Sequence, residues 1–453
     1  MVTERSSGIL MSVSSLPSPY GIGTLGRAAY DYVDFLCEAG QRYWQLLPMG
    51  PTGYGDSPYA SLSSFAGNPY FIDLDTLIEE GLLTREEVEA IDWGDDPEHV
   101  DYGRIYENRF SVLRLAYERG RERDFEAFAD FRAENGRWLT DYALYMALKR
   151  HFGMASWQEW PEEDIRMHRP EACDRWFREL SDDCGFFSYL QFLFFRQWGA
   201  LKRYANERGV EIIGDVPIYV PLDSADVWSE PHWFRLDGDN VPTEVAGVPP
   251  DYFNEDGQLW GNPLYRWDEM ARDGYGWGIR RIDGARKLYD VIRIDHFRGF
   301  ESYWAVPYGN KTAKIGRWRP GPGMDLVGVL KDWFPDLRFI AEDLGYMTES
   351  VRQMVRDTGF PNMKVLQFAF EPDDIGASND YLVHNIPEHC VVYPGTHDND
   401  PINGWFAGLS PLEQQTVRVY FGAEKTAKGV ALIGIVTAAA SGIGLLLNGK
   451  IGR

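Results

Sequence analysis

Cysteine is scarce. Four residues in 453, Cys37, Cys173, Cys184 and Cys390, sit far apart with no C-x-x-C spacing. That excludes a disulfide scaffold and a cysteine-built zinc or redox centre, and predicts reduced core thiols in a cytoplasmic protein. Positive charge is the second deficit: 45 Lys and Arg face 69 Asp and Glu, a net charge of −24. So acidic a chain lacks the concentrated cations that release phosphate counterions, so nucleic acid is not an expected partner. Long apolar runs are also few. Residues 1–16 carry too short an apolar stretch and no clear cleavage site for a secretory signal. One window, GVALIGIVTAAASGIGLLLN at 429–448, is free of charge over the length of a membrane span.

What remains is a globular composition, 44% hydrophobic and 15% aromatic, in a chain long enough to bury a large core without disulfide or metal. No repeat or low-complexity linker divides it. Short apolar runs ending in polar, Gly/Pro-rich loops recur at 7–17, 42–51, 209–220, 289–297, 337–345, 363–370 and 389–400. These read as buried parallel strands. Helical patterns fall between them, at 28–39, 188–208, 324–333 and 348–358; in the first, Tyr32, Phe35, Leu36 and Ala39 are expected to face inward. Polar clusters recur at the C-terminal strand ends: residues 50–59, Asp215, Asp295, Glu342 and Asp398. Such groups converge on one site most readily if the sheet closes, which favours a (βα)8 TIM barrel over an open doubly wound sheet. The expected organisation is residues 1–78 as the first barrel strands with a substrate loop, 79–183 as inserted helical subdomains, 184–422 as the rest of the barrel, and 423–453 as a divergent apolar tail.

In the strand at 290–295, period-two alternation puts Arg293 and Asp295 on one face, roughly 7 Å apart. A guanidinium there would keep the carboxylate ionised, as suits a nucleophile; a structural ion pair is the equal alternative. Glu342 directly follows the apolar run Phe339-Ile340-Ala341, where burial would raise its pKa and leave a proton to donate. His397, Asp398, Asn399 and Asp400 end a third run. Three readings compete for these acids. A divalent-metal site lacks an H-E-x-x-H or a second His cluster to support it. Scattered salt bridges explain each acid singly but not their shared location, whereas paired carboxylates for glycosidic chemistry explain both. Two loops mix aromatic and hydroxyl-binding residues as sugar rings require. One holds Tyr54, Ser57 and Tyr59; the other, with Asp251, Tyr252, Phe253, Gln258, Trp260 and Asn262, is too rich in Gly and Pro to read as a core strand or helix. For each aromatic, packing of the loop onto the barrel is the competing role.

GPTGYGDSPY at 50–59, GDVPIYV at 214–220, AGVPPDYF and QLWGNPLY between 246 and 265, RIDHFRG at 293–299, AEDLG at 341–345 and GTHDND at 395–400 together resemble glycoside hydrolase family 77, the amylomaltases or 4-α-glucanotransferases. The resemblance spans residues 5 to about 422. It implies a (βα)8 barrel with inserted subdomains, α-1,4-glucans and maltooligosaccharides as substrates, and chemistry without a cofactor or metal. It makes Asp295 the nucleophile, Glu342 the general acid/base and Asp398 a third carboxylate that holds sugar hydroxyls. Arg293 and His397, beside Tyr59 and Asp215, would contact the sugar at the cleavage point. The loop with Asp251, Tyr252, Phe253 and Trp260 would lie over the glucan near the acceptor side, and Tyr54 is similar to a position at a secondary glucan site. The implied activity is retaining glucan transfer; the alternatives are an α-glucan hydrolase and a glucan-binding protein without turnover. After Gly422 the resemblance is lost. The 429–448 run then reads as a divergent last helix and strand closing the barrel, as a membrane anchor, or as an altered terminus that does not fold natively, and closure is favoured because a barrel must complete its sheet.

Overall fold

The computed structural model describes residues 5–53, 55–251, 254–345, 347–370 and 378–421, and the backbone of 446–448. Eight short parallel strands carry the architecture: β1 (Gly8–Leu10), β2 (Tyr43–Gln45), β3 (Glu211–Pro217), β4 (Val291–Asp295), β5 (Arg338–Ala341), β6 (Asn362–Val365), β7 (Cys390–Tyr393) and β8 (Leu446–Asn448). Strands β8-β1-β2-β3-β4-β5 form one hydrogen-bonded sheet in that order, and β6 pairs with β7. The Ala341 N–H donates to the Pro361 carbonyl at 3.0 Å, joining β5 to the start of β6, and β7 lies alongside β8. Spatial order thus follows chain order around a closed barrel, as short βα connections require.

Side chains fill the interior. Leu10, Ile213, Val291, Ile340, Met363, Val391 and Tyr393, from six of the strands, form one buried cluster inside the ring. Above it the layers turn polar, beginning with Tyr393 OH donating to Gln45 Oε1 across the barrel at 2.8 Å. The apolar floor supports the strands while the polar layer at their C-terminal ends is free to do chemistry.

Three long helices enter between β2 and β3: Tyr102–Arg123, Phe125–His151 and Ser181–Glu207. The last two pack along their length through aromatic pairs such as Phe128–Phe192 and Phe131–Phe195. A second insertion differs from the sequence reading. Residues 246–265 do not form an irregular loop; Glu244–Val248 and Gln258–Pro263 are a hairpin, joined by Ser302–Pro307 and Arg317–Pro320 into a four-stranded antiparallel sheet over the barrel mouth. Its own small cluster, Val245, Val306 and Ala313 with Leu259 and Trp304, holds it, and the hairpin absorbs its glycines through a register shift between Val245 and Gly247.

Two further expectations need correction. On helix Arg27–Glu38 the inward face is Ala29, Tyr32, Val33 and Leu36, while Phe35, stacked on Tyr32, is about half exposed and Ala39, the C-terminal cap, is exposed too. Cys184 and Cys390 are buried, but Cys37 is exposed and Cys173 half-buried, so not all four thiols are in the core; all are unpaired. Of the 429–448 run, residues 429–445 lie outside the described residues, and Leu446–Asn448 pairs in parallel with Gly8–Leu10. Among the described residues no helix is long and apolar enough to cross a membrane.

Candidate active site

The register of β3 against β4 sets Asp215 beside Arg293 and Pro217 beside Asp295. Arg293 is buried, and its Nη1 donates to Asp215 Oδ1 at 2.6 Å, to Asp215 Oδ2 at 2.7 Å and to Asp295 Oδ1 at 2.9 Å. Tyr59 OH donates to Asp215 Oδ2 at 2.6 Å and lies 2.6 Å from His397 Nε2, the two rings stacked with planes 12° apart. A hydroxyl has one proton to give, and Asp215 takes it, so Nε2 of His397 must be the donor to Tyr59. Burial pushes the His397 pKa down, and its Nδ1 is a buried acceptor with no partner among the described residues. Asp398 follows, its side chain 69% exposed, with Oδ1 3.5 Å from His397 Nε2.

Glu342 is the first residue past β5. Its Oε2 accepts the His296 N–H and its Oε1 the Leu344 N–H, both at 2.7 Å. His296 sits at φ +51°, a left-handed conformation uncommon for a side-chain-bearing residue, immediately after Asp295. Burial pushes the Glu342 pKa up against the opposing pull of Arg293 and the two N–H groups. Asp295 is also raised, to about 7, first by burial and then by the Asp215 charge, with Glu342 adding to the rise and Arg293 opposing it. Arg293 does pull Asp295 toward its ionised form, as expected, but burial and the Asp215 charge outweigh it. Two of the guanidinium's three carboxylate contacts go to Asp215, so less of its charge is available to Asp295. Both carboxyls are thus raised by burial, and the Glu342 charge adds to the rise at Asp295. Glu342 is the more buried of the two, and Asp295, its side chain 28% exposed, touches Arg293.

A cavity of about 1050 Å³ opens above these groups. Asp295, Glu342, Asp398, Arg293, Ser57, Tyr59, Asp251, Gln258, Trp260 and Asn262 all line it, while Asp215 and His397 stand behind Tyr59 and Arg293. Tyr54, Tyr252 and Phe253 lie outside the described residues. The hairpin explains why three of the lining residues act together: Gln258, Trp260 and Asn262 alternate along one strand toward the cavity, while Leu259 points into the small apolar cluster. Sequence reasoning missed His296, Arg298 and Trp318, which also line the cavity. The His296 ring meets Trp260 edge-on at 4.7 Å and is kept neutral by burial, its pKa pushed down to about 3; Arg298 lies over the Trp318 ring at 4.1 Å. His296 and Arg298 stand within RIDHFRG beside the nucleophile candidate, which was the available signal; Trp318 had none.

A closed parallel barrel with two buried carboxyls of raised pKa at neighbouring strand ends, under an aromatic wall, defines an enzyme of glycosidic-bond chemistry. Residues 11–443 match the 4-alpha-glucanotransferase family, glycoside hydrolase family 77. The chain is 49% identical to a 4-alpha-glucanotransferase of Clostridium butyricum over 412 residues, 91% of this chain and 84% of the relative. It is 48% identical to one from Thermus thermophilus over 426 residues, 93% of this chain and 83% of the relative. The structure superposes on the amylomaltase from Streptococcus agalactiae in complex with acarbose with a TM-score of 0.94 at 41% identity, covering 98% of this chain and 90% of that one. The chain belongs to glycoside hydrolase family 77, and its activity is that of a 4-α-glucanotransferase acting on α-1,4-glucans.

Proposed function

We propose that the transfer runs by double displacement with Asp295 as nucleophile and Glu342 as acid and then base. The observation that carries this is the placement of two buried carboxyls, both with raised pKa, at neighbouring strand ends, one of them in contact with Arg293. Glu342 gives its proton to the glycosidic oxygen as an Asp295 oxygen bonds to the anomeric carbon; the C–O bond to the leaving glucan breaks, and that glucan departs as the 4-hydroxyl product. The ionised Glu342 then takes the proton from the 4-hydroxyl of an incoming glucan, whose oxygen displaces Asp295 from the same carbon. Net configuration is retained. The two N–H bonds to Glu342 favour its charged form and burial favours its neutral form, so both states of the cycle are within reach.

Asp398 holds sugar hydroxyls at the cleavage point with Arg293, and His397 supports them from behind through its hydrogen bond to Tyr59. Trp260, His296 and Trp318 wall the acceptor path and limit access of water, which favours transfer over hydrolysis. Maltooligosaccharides serve as donors and acceptors, in the reducing cytoplasm suggested by four free thiols. Incubation with maltotriose should give glucose and a ladder of longer oligosaccharides, and Asp295→Asn should abolish both. Glucose and maltose alone would identify a hydrolase; an active Asp295→Asn would remove the nucleophile assignment.

A further inference from the structure

Glu342 sits in a turn that the barrel sheet holds on one side only. Toward β4 the backbone is knitted: the Glu342 N–H donates to the Ile294 carbonyl and the Phe297 N–H to the Glu342 carbonyl, both at 3.1 Å. Toward β6 there is no such ladder. Strands β5 and β6 are not hydrogen-bonded neighbours among the described residues, and the Ala341 N–H to Pro361 carbonyl contact stops one residue short of Glu342.

Asp343 closes that side. It is buried, its Oδ1 accepts the Met363 N–H at 2.9 Å, and its Oδ2 accepts from Asn362 Nδ2 at 3.0 Å. A carboxylate thus replaces the carbonyl that a ladder would have offered to the first residues of β6. Met363 carries the link onward, its sulfur 3.3 Å from Arg293 Nε. Burial pushes the Asp343 pKa up, and the buried Lys364, its Nζ 4.8 Å over the Tyr381 ring, opposes that rise. Tyr381 and Cys390, both kept protonated by burial, are the other titratable groups near Asp343. Glu342 itself, raised by burial and lowered by Arg293, also feels Asp343, whose charge adds to the rise; Asp295 and Tyr381 are the remaining groups within its reach.

We propose that Asp343 is a positioning residue for glucan transfer, clamping to β6 the turn that aims Glu342 at the glycosidic oxygen. This rests on Glu342 as acid and base. The clamp carries a charge as well, and a carboxylate beside Glu342 favours its protonated form. Asp343→Asn keeps the shape, removes the charge and presents an N–H2 where Asn362 needs an acceptor; Asn362→Ala removes one arm of the clamp and keeps the charge. Two donors are compared. Maltotriose needs a proton on its leaving group, whereas fluoride leaves α-maltotriosyl fluoride without one, so fluoride release in the first turnover bypasses the acid. The expected result for Asp343→Asn is a maltotriose kcat/KM lowered roughly tenfold to a hundredfold, with first-turnover fluoride release within about twofold of the parent. The alkaline limb of its maltotriose pH profile should move to lower pH, because a like charge has been taken from Glu342. Asn362→Ala should show the same selective loss, smaller, with that limb in place. Equal fractional losses on the two donors, or no loss on either, would overturn the proposal, and Asn362→Ala carries this test alone if Asp343→Asn does not fold. An alkaline limb left in place by a folded Asp343→Asn would overturn it too. Glu342→Gln, run alongside, separates the two readings: parental maltotriose turnover there would remove the acid/base itself, whereas a crippled Glu342→Gln beside unselective clamp variants would remove only the role of Asp343.

Discussion

Arg293 donates through one nitrogen to two carboxylates, and how it divides between them sets the chemistry of Asp295. The spacing in Arg293-Ile294-Asp295 shows in the sequence that the two share a strand face. The competing claim of Asp215 does not, because that residue lies 78 positions earlier and only the β3–β4 register brings it close. The left-handed backbone of His296 was equally illegible, since only glycine flags a positive φ in a sequence. A pH prediction follows from the shared guanidinium. As the proposed nucleophile Asp295 must be ionised to attack, and its pKa is raised to about 7, so kcat/KM should fall as pH drops through that region. Asp215→Asn removes a negative charge that raises this pKa and leaves Arg293 more available to Asp295. The acid limb of kcat/KM should therefore move to lower pH. A limb that stays or moves upward would show that Asp215 does not control the nucleophile.

Among the elements, the barrel strands were readable because both faces are buried and each becomes one apolar run. The antiparallel sheet was not. Its two hairpin strands follow β3 and its other two follow β4, and a sheet assembled from both sides of a barrel strand leaves no local pattern. Phe35 fell on the wrong face for a simpler reason: Tyr32, Val33 and Leu36 already complete the buried stripe, and a neighbour only 100° away looks the same to a periodicity count. The glycine of GDVPIYV has a packing explanation. A Cβ on Gly214 would overlap the buried ring of Tyr289, which caps helix Gly276–Leu288 just before β4. Gly214→Ala should cost about 1–3 kcal/mol, the usual range for overpacking a core, and lower the denaturation midpoint measured by circular dichroism. An unchanged midpoint would mean that Tyr289 can move aside without cost.

At the scale of the whole molecule, the C-terminal ends of β2 to β7 bring together residues as distant as Tyr59 and His397, and the antiparallel insertion supplies a wall that a bare barrel lacks. The net charge of −24 plays no part in holding a neutral glucan; what matters is where a few acids are buried. The central claim is that one of them, Asp295, carries the sugar covalently between donor and acceptor. Glu342→Gln removes the acid and the base together, and by this mechanism should lower maltotriose turnover by about 10²–10⁴-fold. α-Maltotriosyl fluoride does not need that acid, because fluoride leaves without a proton, so the variant should still form the intermediate and then lack the base to discharge it. Mass spectrometry of the digested Glu342→Gln variant after this incubation is the direct measurement. A maltotriosyl adduct on Asp295 is the result predicted, and fluoride release with no adduct, or with the adduct on Asp398, would contradict it.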